Sequence, residues 1–207
     1  MVIGVSGVAG AGKDLFVDAC IAELAKRGKS SDKVAIATEL KSEVQSWCLE
    51  HYGINALNAS REDKEKIREF LVFHGVAKRR ASDGRHWINL ADKAINSMKR
   101  NYDYLFVSDV RYSDFEKDEV HWVKEELKGT LVHISQYEIK EATSKRGWPK
   151  AVEDKVFKEP ANAEEARNDP KLKAYADYRL SWEYANINKD KYISSKVVQF
   201  IEWLSTQ

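Results

Sequence analysis

Near the amino end, Gly7-Val8-Ala9-Gly10-Ala11-Gly12-Lys13-Asp14 places three glycines around a loop that closes on a lysine. The spacing G-x-x-x-x-G-K has a chemical purpose. Glycines let the backbone curl so that successive N–H groups converge on an anion, and a following helix adds the positive end of its dipole. Lys13 then supplies a point charge able to bridge the β- and γ-phosphates of a nucleoside triphosphate. The expected cradle is Gly7, Gly10, Ala11, Gly12, Lys13, Asp14 and Leu15. Asp14 stands where a Ser or Thr hydroxyl usually meets Mg²⁺. Its carboxylate can ligate that ion directly or through water, and it also suits a helix N-terminus electrostatically.

A second acid ends the run Leu105-Phe106-Val107-Ser108-Asp109, an arrangement that sets a carboxylate beside the metal of such a loop. Asp109 is therefore a candidate metal ligand, and Arg111, two residues on, a candidate bidentate partner for an acceptor phosphate. The same pair would also serve as a turn cap and a surface ion pair. Arg68 and Arg79 follow apolar positions that turn them toward a cleft, and Lys41 in the preceding helix has a similar claim as an acceptor contact. Lys78, Arg80 and Arg85 belong to the same basic cluster and read equally as a solvated face or as further cations of the cleft. Lys145, Arg146 and Arg179 fall in a charged stretch that can close over a transferring phosphoryl group, and they read equally as ordinary loop charges, Lys145 above all. The five histidines show no metal spacing, and His74 reads as a satisfied buried imidazole. Trp47, Phe70, Phe73 and Trp87 read as core.

These residues need elements to hold them. Val2 to Val5 is strand-like and leads into the glycine loop, after which Phe16, Cys20, Ile21 and Leu24 mark a helix closed by Gly28. Val34 to Ala37 predicts a second strand, followed by helices at about 39–51, from a Ser60/Asp63 capping box to about Lys78, and at about 86–100. Tyr104 to Val107 predicts a central strand. Ser113 and Glu116 predict a capping box for a helix reaching Lys128, and Thr130 to Ile134 the fourth strand. The stretch from about 137 to 180 carries many charges, all three prolines and no strand signal, so it reads as an insertion, a lid over the site. Ala185 to Asn188 predicts a weak fifth strand and Ser194 to Leu204 a last helix. The alternation implies an α/β fold with three layers, a five-stranded parallel sheet covered by helices on both faces, with ligands at the carboxyl ends of the strands. One domain spanning 1–207 is expected, its acceptor-binding helices at about 39–100.

With 34 basic and 33 acidic residues the chain has a formal net charge of +1. A pI near 7.7 is far from that of an electrostatic nucleic-acid binder, so no nucleic-acid partner is expected. No apolar run reaches the roughly 20 residues a membrane span needs, and no cationic leader with a cleavage site is visible. Two isolated cysteines, Cys20 and Cys48, suit a reducing cytoplasm.

The loop ending in Lys13-Asp14, together with Ser108-Asp109-Val110-Arg111-Tyr112, resembles the deoxynucleoside monophosphate kinases of tailed bacteriophages, within the P-loop nucleoside-phosphate kinase superfamily. Glu39-Leu40-Lys41, the stretch from Arg68-Glu69-Phe70-Leu71 through His74-Gly75 and Arg79 to Trp87-Ile88, and Asn186-Ile187-Asn188 extend the likeness. The resemblance covers about residues 2 to 135 and, more loosely, 185 to 204. It implies ATP with Mg²⁺ and transfer of the γ-phosphoryl to a deoxynucleoside monophosphate in a monomer or homodimer, with adenine-side contacts near Asn188 and Asp190 and a lid cation at Arg146. Animal-type phosphomevalonate kinase is similar too, through Gly-Lys-Asp, Val107-Ser108-Asp109, Arg111, Gly75, Lys78-Arg79 and Arg146-Gly147-Trp148. Leu180-Ser181-Trp182-Glu183 departs from the phage pattern, which tends toward His-x-Ser-Glu there.

Overall fold

A computed structural model describes residues 1–142, 152–184 and 189–207 of the chain. Five strands run parallel in the order β2 (Ser31–Ala35), β3 (Tyr104–Val110), β1 (Val2–Ser6), β4 (Thr130–Ala142) and β6 (Tyr178–Glu183). The central pairing is in step: Ile3 lies opposite Phe106 on one side and Thr130 on the other. All five residues of β1 are buried, as a strand covered on both faces must be.

On one face, α1 (Lys13–Lys26) and α7 (Lys189–Leu204) pack Phe16, Val17, Cys20, Val197, Phe200 and Leu204 against Ile3, Val5, Val132 and Ile134. The opposite face is covered by α4 (Arg85–Met98), whose Trp87, Ile88, Ala91 and Ile95 meet Leu105 and Val107. Beside it α5 (Glu119–His121) runs into a single wide turn at Trp122–Glu126, burying Val120, Trp122 and Val123. A satellite core of Val44, Cys48, Ile54, Ala56 and Ile67 joins α2 (Ile36–Tyr52) to α3 (Arg61–Arg80), so these two helices form a wall of their own beside the sheet. Ser60 caps α3 as its spacing predicts, accepting from the Asp63 N–H at 3.1 Å.

Four expectations change. The second strand starts earlier, at Ser31, and α2 takes over at Ile36. Ser113 is not an N-cap: Asp118 caps α5, because its carboxylate also gathers the N–H groups of Asp114 and Phe115 and the guanidinium of Arg79. The stretch from 137 holds regular structure after all, since β4 continues to Ala142 and pairs antiparallel with β5 (Val152–Phe157), followed by α6 (Ala163–Tyr175). The fifth parallel strand is Tyr178–Glu183; the stretch 185–188 expected to supply it lies outside the described residues, as do Lys145 and Arg146. No described helix is long and apolar enough to cross a membrane.

Candidate functional site

β1 ends at Ser6 and the chain turns through Gly7, Gly10 and Gly12, all at positive φ, into α1. Two of these glycines are also forced by contact. A Cβ on Gly7 would stand 2.2 Å from the Ile134 carbonyl oxygen, and one on Gly12 would stand 2.5 Å from Cζ2 of Trp182. Trp182, buried on β6, donates its Nε1 proton to the Ala11 carbonyl at 2.8 Å and so seats the loop from beneath. No side chain caps α1. Its first N–H groups are therefore free to meet an anion at the mouth of the loop.

Lys13 is buried and curls back over the loop, donating to the carbonyls of Gly7 (2.9 Å) and Val8 (3.2 Å), with Oδ1 of Asp109 at 3.9 Å. Burial draws its ammonium below the usual lysine range, an effect Asp109 partly offsets. Asp109, near the end of β3, holds φ +65, a left-handed conformation uncommon for a residue with a side chain. Burial opposes its ionisation, but Arg111 and Lys13 outweigh burial and keep the carboxyl below its ordinary range. Arg111 spans the junction, with Nη2 3.3 Å from Asp109 and Nη1 3.0 Å from Glu165.

A cavity of about 590 Å³ opens on this group. One wall carries Gly10, Gly12, Lys13, Asp14 and Leu15, with Trp182, Tyr184 and Tyr192 beside them. The other carries Lys41 from α2, Lys64 and Arg68 from α3, and an apolar surface of Ile36, Leu40, Leu71, Val72 and Trp87. Asp109 and Arg111 lie between the walls. Thus the cavity brings Lys13, Asp14, Leu15, Lys41, Arg68, Asp109 and Arg111 together. Arg68 pairs with Glu65 on its own helix, while Lys41 and Lys64 have no ion pair among the described residues. Asn188 and Arg146 lie outside the described residues.

Arg79 also lines the cavity, but its guanidinium is taken up by buried protein groups. It is buried, grips Asp118 through both Nη atoms at 2.9 and 2.7 Å, reaches Glu119 at 3.2 Å, and lies 3.6 Å from the centre of the Tyr112 ring. Glu119 in turn accepts the N–H groups of Arg111 (2.6 Å) and Tyr112 (3.2 Å). Burial pushes its carboxyl up to about 7 against the pull of Arg79. This buried cluster braces the chain that presents Asp109 and Arg111.

Arg179 sits at the starting end of β6 and donates to the Ala174 carbonyl, whereas the cavity meets that strand at Trp182 and Glu183. Phe73 is exposed, since the inward ridge of α3 runs Ile67, Leu71, Gly75, Arg79 and leaves position 73 on the far side; Trp47 is partly exposed and stacks on Phe70. His74 is half-buried, with its imidazole on Glu43 at 3.1 Å.

Several site residues escape the sequence reading. Lys158, just after β5, hangs over the phosphate loop: a Cβ on Gly10 would stand 3.2 Å from its Nζ. Glu165 of α6 contacts the loop itself at Ala9. A signal for Glu165 exists, because Asn162-Ala163-Glu164-Glu165 has capping-box spacing. Nothing local marks Lys158, which reaches the loop only through the β4–β5 pairing.

The residues fit a metal-bound triphosphate. Asp14 and Asp109 offer hard oxygen donors on the cavity wall beside an uncapped helix start. Among the described residues no group of three or more His, Cys, Asp or Glu is arranged to hold a metal by itself, so phosphate and water oxygens would complete the coordination.

No family model matches the chain, and no curated protein matches it. Among solved structures the chain is similar to dephospho-CoA kinase from Campylobacter jejuni, at 15% identity over 99% of this chain and 97% of that one, TM-score 0.46. It is also similar to shikimate kinase from Bacteroides thetaiotaomicron, at 12% identity over 99% and 98% of the two chains, TM-score 0.43.

Proposed function

We propose that the chain is an ATP-dependent phosphotransferase that moves the γ-phosphoryl of MgATP to a small phosphomonoester. One observation carries this reading: a single cavity has the uncapped phosphate loop on one wall, Lys41 and Arg68 on the other, and Asp109 and Arg111 between them. A protein that only binds a triphosphate has no use for the second set of cations. The apolar surface of Leu40, Leu71, Val72 and Trp87 next to those cations suits an acceptor with an uncharged body behind its phosphate. The motif likeness around Lys13-Asp14 and Ser108–Tyr112 favours a deoxynucleoside monophosphate.

In this reading Gly7 to Leu15 cradles the β- and γ-phosphates, and Lys13 shifts from the Gly7 and Val8 carbonyls onto them. Asp14 and Asp109 hold Mg²⁺, which when bound neutralises charge on the phosphate oxygens. Arg111 binds the acceptor phosphate and brings it in line, with Lys41 and Arg68 setting its position. Lys158 approaches the phosphates from above, and the resemblance assigns a lid cation to Arg146 and an adenine-side contact to Asn188. Positioning and charge neutralisation account for most of the rate, because phosphoryl transfer asks little covalent work of the protein. A coupled ADP-release assay across deoxynucleoside monophosphates, ribonucleoside monophosphates and phosphomevalonate tests the assignment. Turnover is expected with at least one deoxynucleoside monophosphate. Turnover with phosphomevalonate alone would overturn the acceptor, and ATP binding with no acceptor-dependent ADP release would overturn the phosphotransferase.

A further inference from the structure

Glu165 is not among the residues that would touch a substrate in the reading above, yet its carboxylate accepts three hydrogen bonds from three separate parts of the molecule. Oε2 accepts the N–H of Ala9 in the phosphate loop at 3.1 Å and the N–H of Ala161 at 3.0 Å. Oε1 accepts Nη1 of Arg111 at 3.0 Å. The side chain is nine-tenths buried. Three parts of the molecule therefore converge on one carboxylate: the loop after β1, the arginine after β3 and the start of α6.

The direction of control follows from what fixes each partner. Glu165 is locked by its own helix, because its N–H donates to the side chain of the N-cap Asn162 at 2.9 Å while its carboxylate reaches back to the Ala161 N–H. Asn168, one turn further along α6, ties the same helix to the Ser113 N–H and to Asp114. The helix is thus anchored independently of Arg111. Arg111 by contrast has a long, rotatable side chain, and a third of it is open to the cavity. Without Glu165 only Asp109 would orient its guanidinium, and through one nitrogen. A guanidinium held between two carboxylates keeps one fixed plane, which bidentate recognition of a phosphate requires.

We infer that Glu165 is a positioning residue: it sets the plane of Arg111 and ties that arginine to the phosphate loop through Ala9, so that donor and acceptor phosphates meet at a fixed separation. The inference rests on the phosphotransferase reading. Its test is a double-mutant cycle on the full-length chain, measuring kcat and acceptor KM by ADP release and ATP affinity by equilibrium binding. Glu165→Gln is expected to lower kcat by about 10- to 100-fold, the loss typical of a misplaced reacting group. ATP affinity should stay within about threefold, because the remaining cradle is intact. In an Arg111→Ala background the same change should cost less than about twofold, since the group through which it acts is gone. Glu165→Asp, which keeps the negative charge at the helix start but withdraws it by one methylene, should show the same kcat loss even if Glu165→Gln folds poorly. A full additional loss in the Arg111→Ala background would make the role merely structural and overturn the inference, as would unchanged kcat in both variants. A wild-type chain without acceptor-dependent turnover would instead overturn the phosphotransferase reading and the inference together.

Discussion

Arg79 shows how little a residue type says about its task. By spacing it belongs with Arg68 as a phosphate ligand, and both touch the cavity. One helical position separates their fates. Ile67, Leu71, Gly75 and Arg79 follow at intervals of four along the inward ridge of α3, so Arg79 enters the buried zone where Asp118 and Glu119 wait, while Arg68 stays on the cavity rim. Sequence cannot separate a buried structural arginine from a ligand arginine, because the acids that claim Arg79 lie some forty residues on. The phosphate loop was legible for the opposite reason: its glycines, lysine and neighbouring strand and helix are all local. Asp118 accepts two of the three hydrogen bonds from the Arg79 guanidinium and also the N–H groups of Asp114, Phe115 and Glu119, so removing it leaves a buried charge with Glu119 alone and three N–H groups without their acceptor. Asp118→Ala is therefore expected to cost about 3–5 kcal/mol in urea unfolding. A loss below about 1 kcal/mol would show that Arg79 finds water or another partner.

The helices that form the acceptor wall meet at a single carboxylate. Glu43 of α2 accepts from Lys78 and His74 of α3 and from His86 of α4, at 2.6, 3.1 and 3.1 Å. The Lys78 contact and the two imidazoles hold its carboxyl down at about 2, against a weaker effect of burial. A depressed carboxyl pKa contributes stability that is present above the ordinary glutamate range and lost as pH falls from about 4.5 toward 2. The thermal stability of Glu43→Gln should accordingly lie below that of the wild type at pH 7 and converge with it near pH 2. A constant difference across that range would remove Glu43 as the tie between α2, α3 and α4.

Strands were less legible than helices, and for physical reasons. β6 alternates Tyr178, Leu180 and Trp182 against Arg179, Ser181 and Glu183, the period-two pattern of a strand with one covered face, so a search for continuous apolar runs passes over it. β5 and the outer half of β4 form a ribbon with Ile139, Val156 and Phe157 exposed, and a ribbon outside the core needs no apolar stretch to mark it. The Ser60 cap was readable because its partner lies three residues away.

At the scale of the whole chain, a net charge of +1 conceals an ordered distribution. Lys13, Lys41, Lys64, Arg68 and Arg111 face one cavity together with Asp14 and Asp109, so the walls can take two phosphate groups and a divalent cation without leaving a large excess of either sign. The sheet order explains how. β1 and β3 are neighbours, so the loop after β1 and the carboxyl end of β3 deliver Lys13 and Asp109 to one point, while α2 and α3 project the acceptor wall from the side. The most direct test of this account follows the label of γ-phosphate-labelled ATP in wild-type and Lys13→Ala protein, each checked for folding by circular dichroism. Wild type is expected to transfer the label to the phosphate of a deoxynucleoside monophosphate, and Lys13→Ala to stay folded but be slower by at least about 100-fold. Label released only as inorganic phosphate, or transfer at an undiminished rate without Lys13, would contradict it.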